Sequence, residues 1–268
     1  MEDQTNFKSQ VDIQQELNSE EYKHEWNRLI DMRKSITYCL SFCYMNSARD
    51  GISGEQNFFL RILDDIIQSI ASIEMLAKEG IMNTCRRELR YLIELSIKSC
   101  LIVNKNPKKS FEQQIAEYEK LLSSSNINPI NTLGFSYFDK VQQEDFKTEV
   151  KRLYGYLSKY THASAHQIQE RLASAMNGRT IGFEGISELK VLNKDVEKVL
   201  SIVVVMIFHS VAQYVVGDFL VEPNGKTVDW YFNKSKFINI IDESFDYKHE
   251  RQVKLAELKE ERFKRITF

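Results

Sequence analysis

VLSIVVVMIFHSVAQYVVGDFLV, residues 199–221, is the most hydrophobic stretch of this 268-residue chain, and it admits two readings, a membrane span or a buried helix. A spanning helix needs about 20 nearly unbroken apolar residues. This one is interrupted by Ser201, His209, Ser210, Gln213 and Asp218, so the stretch reads as a helix over 193–221, apolar on nearly every face and therefore at the centre of a helical core. No membrane association is expected.

The rest of the chain agrees. Only 3 prolines and 10 glycines punctuate it, too few for the turns of a β-sandwich or the loops of a doubly wound sheet. The fold class is all-α: a bundle of about five long helices. Apolar residues at helical spacing place a helix at 20–48 (Trp26, Leu29, Ile36, Leu40, Cys43), one at 55–79 (Phe59, Ile62, Ile66, Ile70, Ile73) and one at 82–104. Gly80 supplies the stop of the second, and Pro107 closes the third by forcing Asn106 out of helical angles. Ser110 caps a polar helix to about 122. A helix over 140–173 follows, with a break near Thr161–Ser164, and the excursion at 176–190 has room for a small hairpin. Residues 1–18 read as a flexible N-terminal segment, 19–245 as the bundle domain, and 246–268 as a charged C-terminal helix with few core positions.

With 36 basic and 38 acidic side chains, no strong global field draws the chain to nucleic acid or anionic lipid. Cys39, Cys43, Cys85 and Cys100 lie in apolar helical runs without a CxxC pair, and read as small buried thiols of a reducing cytosol. The start, MEDQTNFKSQ, lacks the basic-then-apolar pattern of a secretory signal, so the expected location is cytoplasmic. Walker A, GxGxxG and GxSxG motifs are absent, and no cofactor is expected.

Two polar features stand where apolar residues belong. On the helix CRRELRYLIELSIKSCLI the apolar face centres on Leu89, Ile93, Ile97 and Cys100, with Arg86 and Arg90 on it or on its flank. A guanidinium there needs a partner, and Glu94 sits one turn after Arg90. Either the pair is a structural ion pair, or Glu94 holds an arginine aimed at phosphate, which suits its fixed fork of donors. The second feature is YLSKYTHASAHQ, residues 156–167. Tyr154, Ser158, His162 and His166 recur every four residues along one helical edge. Histidine exchanges protons near neutral pH, while Ser158, Lys159 and Tyr160 can donate to an anion. Against this stands the plainer reading, that the histidines cap a helix break. Residue 163 is Ala, so HExxH is absent and no metal is expected. His209 reads as a satisfied core histidine. One guanidinium needs more acceptors than a single carboxylate gives, which predicts that Arg90 meets Glu94 and the 154–166 segment in one polar centre.

RRELRYLIELSIKSCLIVNKNP at 86–107 followed by YGYLSKYTHAS at 154–164 resembles a bacterial family of helical proteins, the DUF5677 type, over roughly 60–220. In helical layout it is distantly similar to the HEPN superfamily. That resemblance implies an abortive-infection, antiviral or toxin-type effector: a metal-independent endoribonuclease whose arginine and histidine meet at a dimer seam. No histidine here has an arginine four to six residues before it; Lys159, before His166, is the nearest substitute. The expected catalytic set is then His162, His166, Arg90 and Lys159, supported by Glu94, Ser158, Tyr160 and Arg86, with RNA as substrate and a homodimer or protein partner. Two other classes fit the residues: a non-catalytic subunit or scaffold docking through the charged C-terminal helix, and a small-ligand sensor using a polar notch in the bundle.

Overall fold

The computed structural model describes residues 10–47, 58–105, 109–124, 126–161, 164–176 and 185–268. The described residues are all-helical; their one β feature is an isolated antiparallel bridge between Val221 and Thr227. Five helices have 19 or more residues: α2 (Glu20–Ser47), α3 (Phe58–Lys78), α4 (Met82–Lys105), α6 (Lys140–Ser158) and α8 (Ile186–Phe208). Six shorter ones join them: α1 (Gln10–Asn18), α5 (Phe111–Leu122), α7 (Ala165–Met176), α9 (Gln213–Leu220), α10 (Lys236–Glu243) and α11 (Leu255–Arg265). The expectation of about five long helices therefore undercounts: polar residues divide two of the expected runs, 140–173 and 193–221, and α1 and α10 lie outside all of them.

α8 occupies the centre. Every residue from 199 to 208 is buried, and α2 and α4 pack along it while α3 lies on α4. At the other end of α8, the Glu16 carboxylate from α1 accepts from the Ile186 amide at 2.7 Å, placing negative charge on a helix N-terminus. The expected helix 193–221 is two helices, and the break has a local cause. His209 Nδ1 lies 2.7 Å from the Val205 carbonyl, Ser210 Oγ donates to Met206 O at 2.7 Å, and Asn104 Nδ2 donates to His209 O at 2.9 Å. Side chains thus serve the carbonyls of the last turn, and Ala212 is extended (φ −62°, ψ 144°) at the start of α9. The polar residues that argued against a membrane span are those that end the helix. Among the described residues no helix is long and apolar enough to cross a membrane.

Capping sets the other boundaries. Gly80 at φ 67° ends α3, with Ile81 N donating to Leu76 O and Gly80 N to Ala77 O. Ser110 with Gln113, and Asp139 with Gln142, form capping boxes at the starts of α5 and α6. The expected helix 140–173 is α6 and α7, separated at 159–164. Of the expected hairpin at 176–190, residues 177–184 lie outside the described residues, and Ile186 onward is the first turn of α8. Within 1–18, Gln10–Asn18 is helical.

The C-terminal region differs most from its reading. A 3-10 turn (His249–Lys254) precedes α11, and Leu258 and Arg262 of α11 are buried. Arg262 Nε meets Asp242 Oδ2 at 2.6 Å and its Nη2 meets Asp246 Oδ1 at 2.6 Å, while Arg251 Nη2 meets Asp242 Oδ1 at 2.6 Å. Arg251, Arg262 and Asp242 are at most 1 % exposed. The helix that the alternative docking reading used is fastened to α10 by buried ion pairs.

Candidate functional site

The first half of α4, the end of α6 and the start of α7 come together around Tyr160. Arg90 points at α6: its Nη2 donates to Tyr154 OH at 2.5 Å, its Nε to Ser158 Oγ at 3.1 Å, and its guanidinium carbon lies 4.6 Å from the Tyr154 ring centroid. Glu94 is farther, 3.8 Å from Nη1. The carboxylate is held more closely by Lys98, a residue the sequence reading missed: its Nζ lies 2.6 Å from Glu94 Oε1 and donates to Ser124 O at 2.7 Å. Lys98 is 2 % exposed, and an ammonium so placed needs the carboxylate more than Arg90 does. The Glu94/Lys98 spacing of four was the available signal.

One turn earlier, buried Arg86 donates from Nε to Asp195 Oδ2 of α8 at 3.1 Å and lies 4.8 Å from the Tyr160 ring centroid. Burial raises the Asp195 carboxyl above its ordinary range, with Arg86 pulling the other way. Between these two arginines on the helix, Arg87 is exposed. Its Nε donates to the Tyr160 carbonyl at 2.7 Å, so its long side chain is held by a neutral oxygen.

Tyr160 is 1 % exposed, and burial drives its phenol well above the usual range. Its hydroxyl donates to Glu170 Oε1 at 3.1 Å and lies 3.4 Å from His166 Nε2 and from Tyr156 OH. His166 Nε2 is itself 3.2 Å from Glu170 Oε1. The carboxylate can only accept, and the Tyr160 hydroxyl lies within reach of both it and Nε2. Ser164 Oγ accepts from the Gln167 amide at 3.2 Å and donates to Lys159 O at 2.7 Å, starting α7. Buried Gln167 donates to the Tyr160 carbonyl at 3.0 Å.

Of the expected site residues, Arg90, Glu94 and Ser158 meet in one cluster, and Arg86, Tyr160 and His166 in a second that adjoins it. Lys159 ends α6, exposed, with Nζ 5.9 Å from the Tyr156 ring centroid. His162 lies outside the described residues. Arg87 and Glu170 were missed; the YLSKYTHASAHQ stretch stops short of Glu170, and Arg87 is off the apolar face that drew attention to its neighbours. His209 is held apart from both clusters in a cage of Phe135, Tyr137 and Phe138, with ring centroids 4.9–5.5 Å away. Among the described residues no group of three or more His, Cys, Asp or Glu is placed to hold a metal ion. No family model, curated protein or solved structure matches the chain.

Proposed function

We propose that the chain is a defence- or toxin-type effector of HEPN-like character that cuts RNA without a metal ion. The observation that carries the reading is the His166–Glu170–Tyr160 arrangement: an imidazole whose Nε2 lies 3.2 Å from a carboxylate, with its side chain 41 % exposed, beside the exposed cations Arg87 and Lys159. In this reading Nδ1 of His166 takes the proton of a ribose 2′-hydroxyl as its oxygen bonds to the adjacent phosphorus. The bond from phosphorus to the 5′-oxygen breaks, leaving a 2′,3′-cyclic phosphate. The 5′-oxygen takes a proton from a second acid, His162 or the His166 of a second copy. Arg87 and Lys159 bear the growing phosphate charge, whereas Arg90, engaged with Tyr154 and Ser158, orders α6. End-labelled RNA incubated with chelator tests this: wild type yields cyclic-phosphate ends, and His166→Ala lowers the rate about a hundredfold or more. Absent cleavage by wild type, or equal cleavage by the variant, overturns it.

A second reading, a non-catalytic subunit, draws on α7. Ile168, Leu172 and Met176 recur every four residues along it and are 59–65 % exposed, an apolar stripe suited to a protein partner. Its sign is an Ile168→Asp, Leu172→Asp variant that loses association in sedimentation while no RNA is cut by either protein.

A further inference from the structure

A cleft of about 760 Å³ opens on the far side of α8, between α2, the 3-10 turn Tyr231–Lys234 and α11. Its volume is that of a small-molecule site. The buried ion cluster reaches the surface here. Three arginines, Arg251, Arg262 and Arg265, contact only two carboxylates, Asp242 and Asp246, and Glu261 acts on Arg265 from outside contact distance.

Arg265 is the least closely paired of the three. Its Nη2 is 3.4 Å from Asp242 Oδ2, a longer contact than the 2.6 Å that Arg251 and Arg262 make to that residue. Nε and Nη2 both donate to Asn239 Oδ1, at 2.9 and 2.7 Å, a neutral acceptor. No oxygen of the described residues accepts from Nη1, and that atom is not among the buried atoms without a partner. Arg265 lines the cleft. Burial, together with Arg262 and Arg251 beside it, holds its guanidinium below the usual range despite Asp242 and Glu261. Lys234 and Lys264 also line the cleft. Lys234 rests 4.9 Å from the Tyr231 ring centroid and Lys264 pairs with exposed Glu260. Opposite charge is present too. Asp31 and Asp229 line the cleft along with Glu197, and Glu197 is taken by Arg28 at 2.6 Å.

We infer that this cleft binds a hydroxyl-bearing phosphate monoester, a sugar phosphate or nucleotide, with its phosphate on Arg265, Lys234 and Lys264 and its hydroxyls donating to Asp31 and Asp229. A phosphate offers acceptors to the Arg265 Nη1, which no hydrogen bond of the described residues uses, and matches a guanidinium fork; the carboxylates across the cleft accept what a sugar donates. Asp229 accepts from Asn233 Nδ2 at 3.3 Å through one oxygen, and a bare anion would leave the remaining acceptor sites of both carboxylates unused. The inference does not rest on the RNA reading, since no residue of the Tyr160 centre lines the cleft.

Calorimetric titration of the full chain at low salt with ribose 5-phosphate, inorganic phosphate and ribose is the test. Ribose 5-phosphate should saturate, about tenfold or more tighter than inorganic phosphate, with ribose weaker still; one charge-assisted bond is worth about that factor. Arg265→Gln should weaken binding about tenfold. Because Arg265 touches the buried cluster, the exposed pair Lys234→Gln, Lys264→Gln is measured beside it, and should also weaken binding while the melting temperature holds. Equal affinity for phosphate and ribose 5-phosphate overturns the assigned ligand class. No saturable binding at millimolar concentration, or binding unchanged in the double lysine variant, overturns the site.

Discussion

Arginines in two regions of the molecule meet different partners. Near the C-terminus Arg251 and Arg262 donate to the carboxylates of Asp242 and Asp246 and are almost wholly buried. Around Tyr160, Arg87 is held by a backbone carbonyl and Arg90 most closely by two hydroxyls. A carboxylate cancels the charge of the arginine it holds; a carbonyl or hydroxyl fixes the side chain and leaves the charge in place. The first arrangement serves stability; in the proposed reading the second, at Arg87, keeps a positioned cation for an outside anion, while Arg90, with Glu94 also 3.8 Å away, orders α6. Arg86, buried against Asp195, belongs to the first kind although it sits one residue from Arg87.

The largest effect should come from the interior network. Asp242→Ala leaves Arg251 and Arg262 buried beside a single remaining carboxylate, and should cost roughly 3–5 kcal/mol in urea unfolding. A loss below about 1 kcal/mol, the range of an exposed pair, would break the contrast between the two regions.

His209 sharpens it from the side of protonation. Burial pushes its imidazole from 6.5 down to about 4. Unfolded, it binds a proton below about 6.5; folded, only below about 4. Between those values the unfolded chain holds more protons, so stability is full above the window and falls as pH drops through it, by roughly 3 kcal/mol in all. Unfolding free energies at pH 7 and pH 4.5 should differ more for wild type than for His209→Gln. The same pH dependence in both would remove His209 as its source.

A smaller loss is expected at Gly225, which has φ +81° and would place a Cβ 2.0 Å from the Glu250 carbonyl oxygen. Gly225→Ala should cost about 1–3 kcal/mol, seen as a lower melting temperature, because the turn that bears on the 3-10 segment ahead of α11 must shift. An unchanged melting temperature would show that the C-terminal segment does not need this close approach.

Much of this architecture is legible in the residues, and the gaps have physical causes. Periodicity placed the long helices because each buries a continuous stripe, and the search for acceptors led from Arg90 to Tyr154 and Ser158. The break at His209 escaped because hydropathy does not register side chains bonding the carbonyls of their own helix. The C-terminal network escaped because Asp242, Arg251 and Arg262 lie on three successive elements, so no single helix's periodicity joins them. Their charges made α11 look like a solvated surface helix. Arg87 and Glu170 were passed over since an exposed charged residue carries no anomaly until its neighbours are known.

The central claim concerns Arg87, and one paired measurement on Arg87→Ala tests it most directly: RNA affinity across a salt series, beside unfolding free energy. Affinity should fall about tenfold with the salt slope reduced by about one, while stability stays within about 0.5 kcal/mol of wild type. Unchanged affinity and salt slope with a marked loss of stability would contradict it, and would place Arg87 with Arg251 and Arg262 among the arginines that hold the fold.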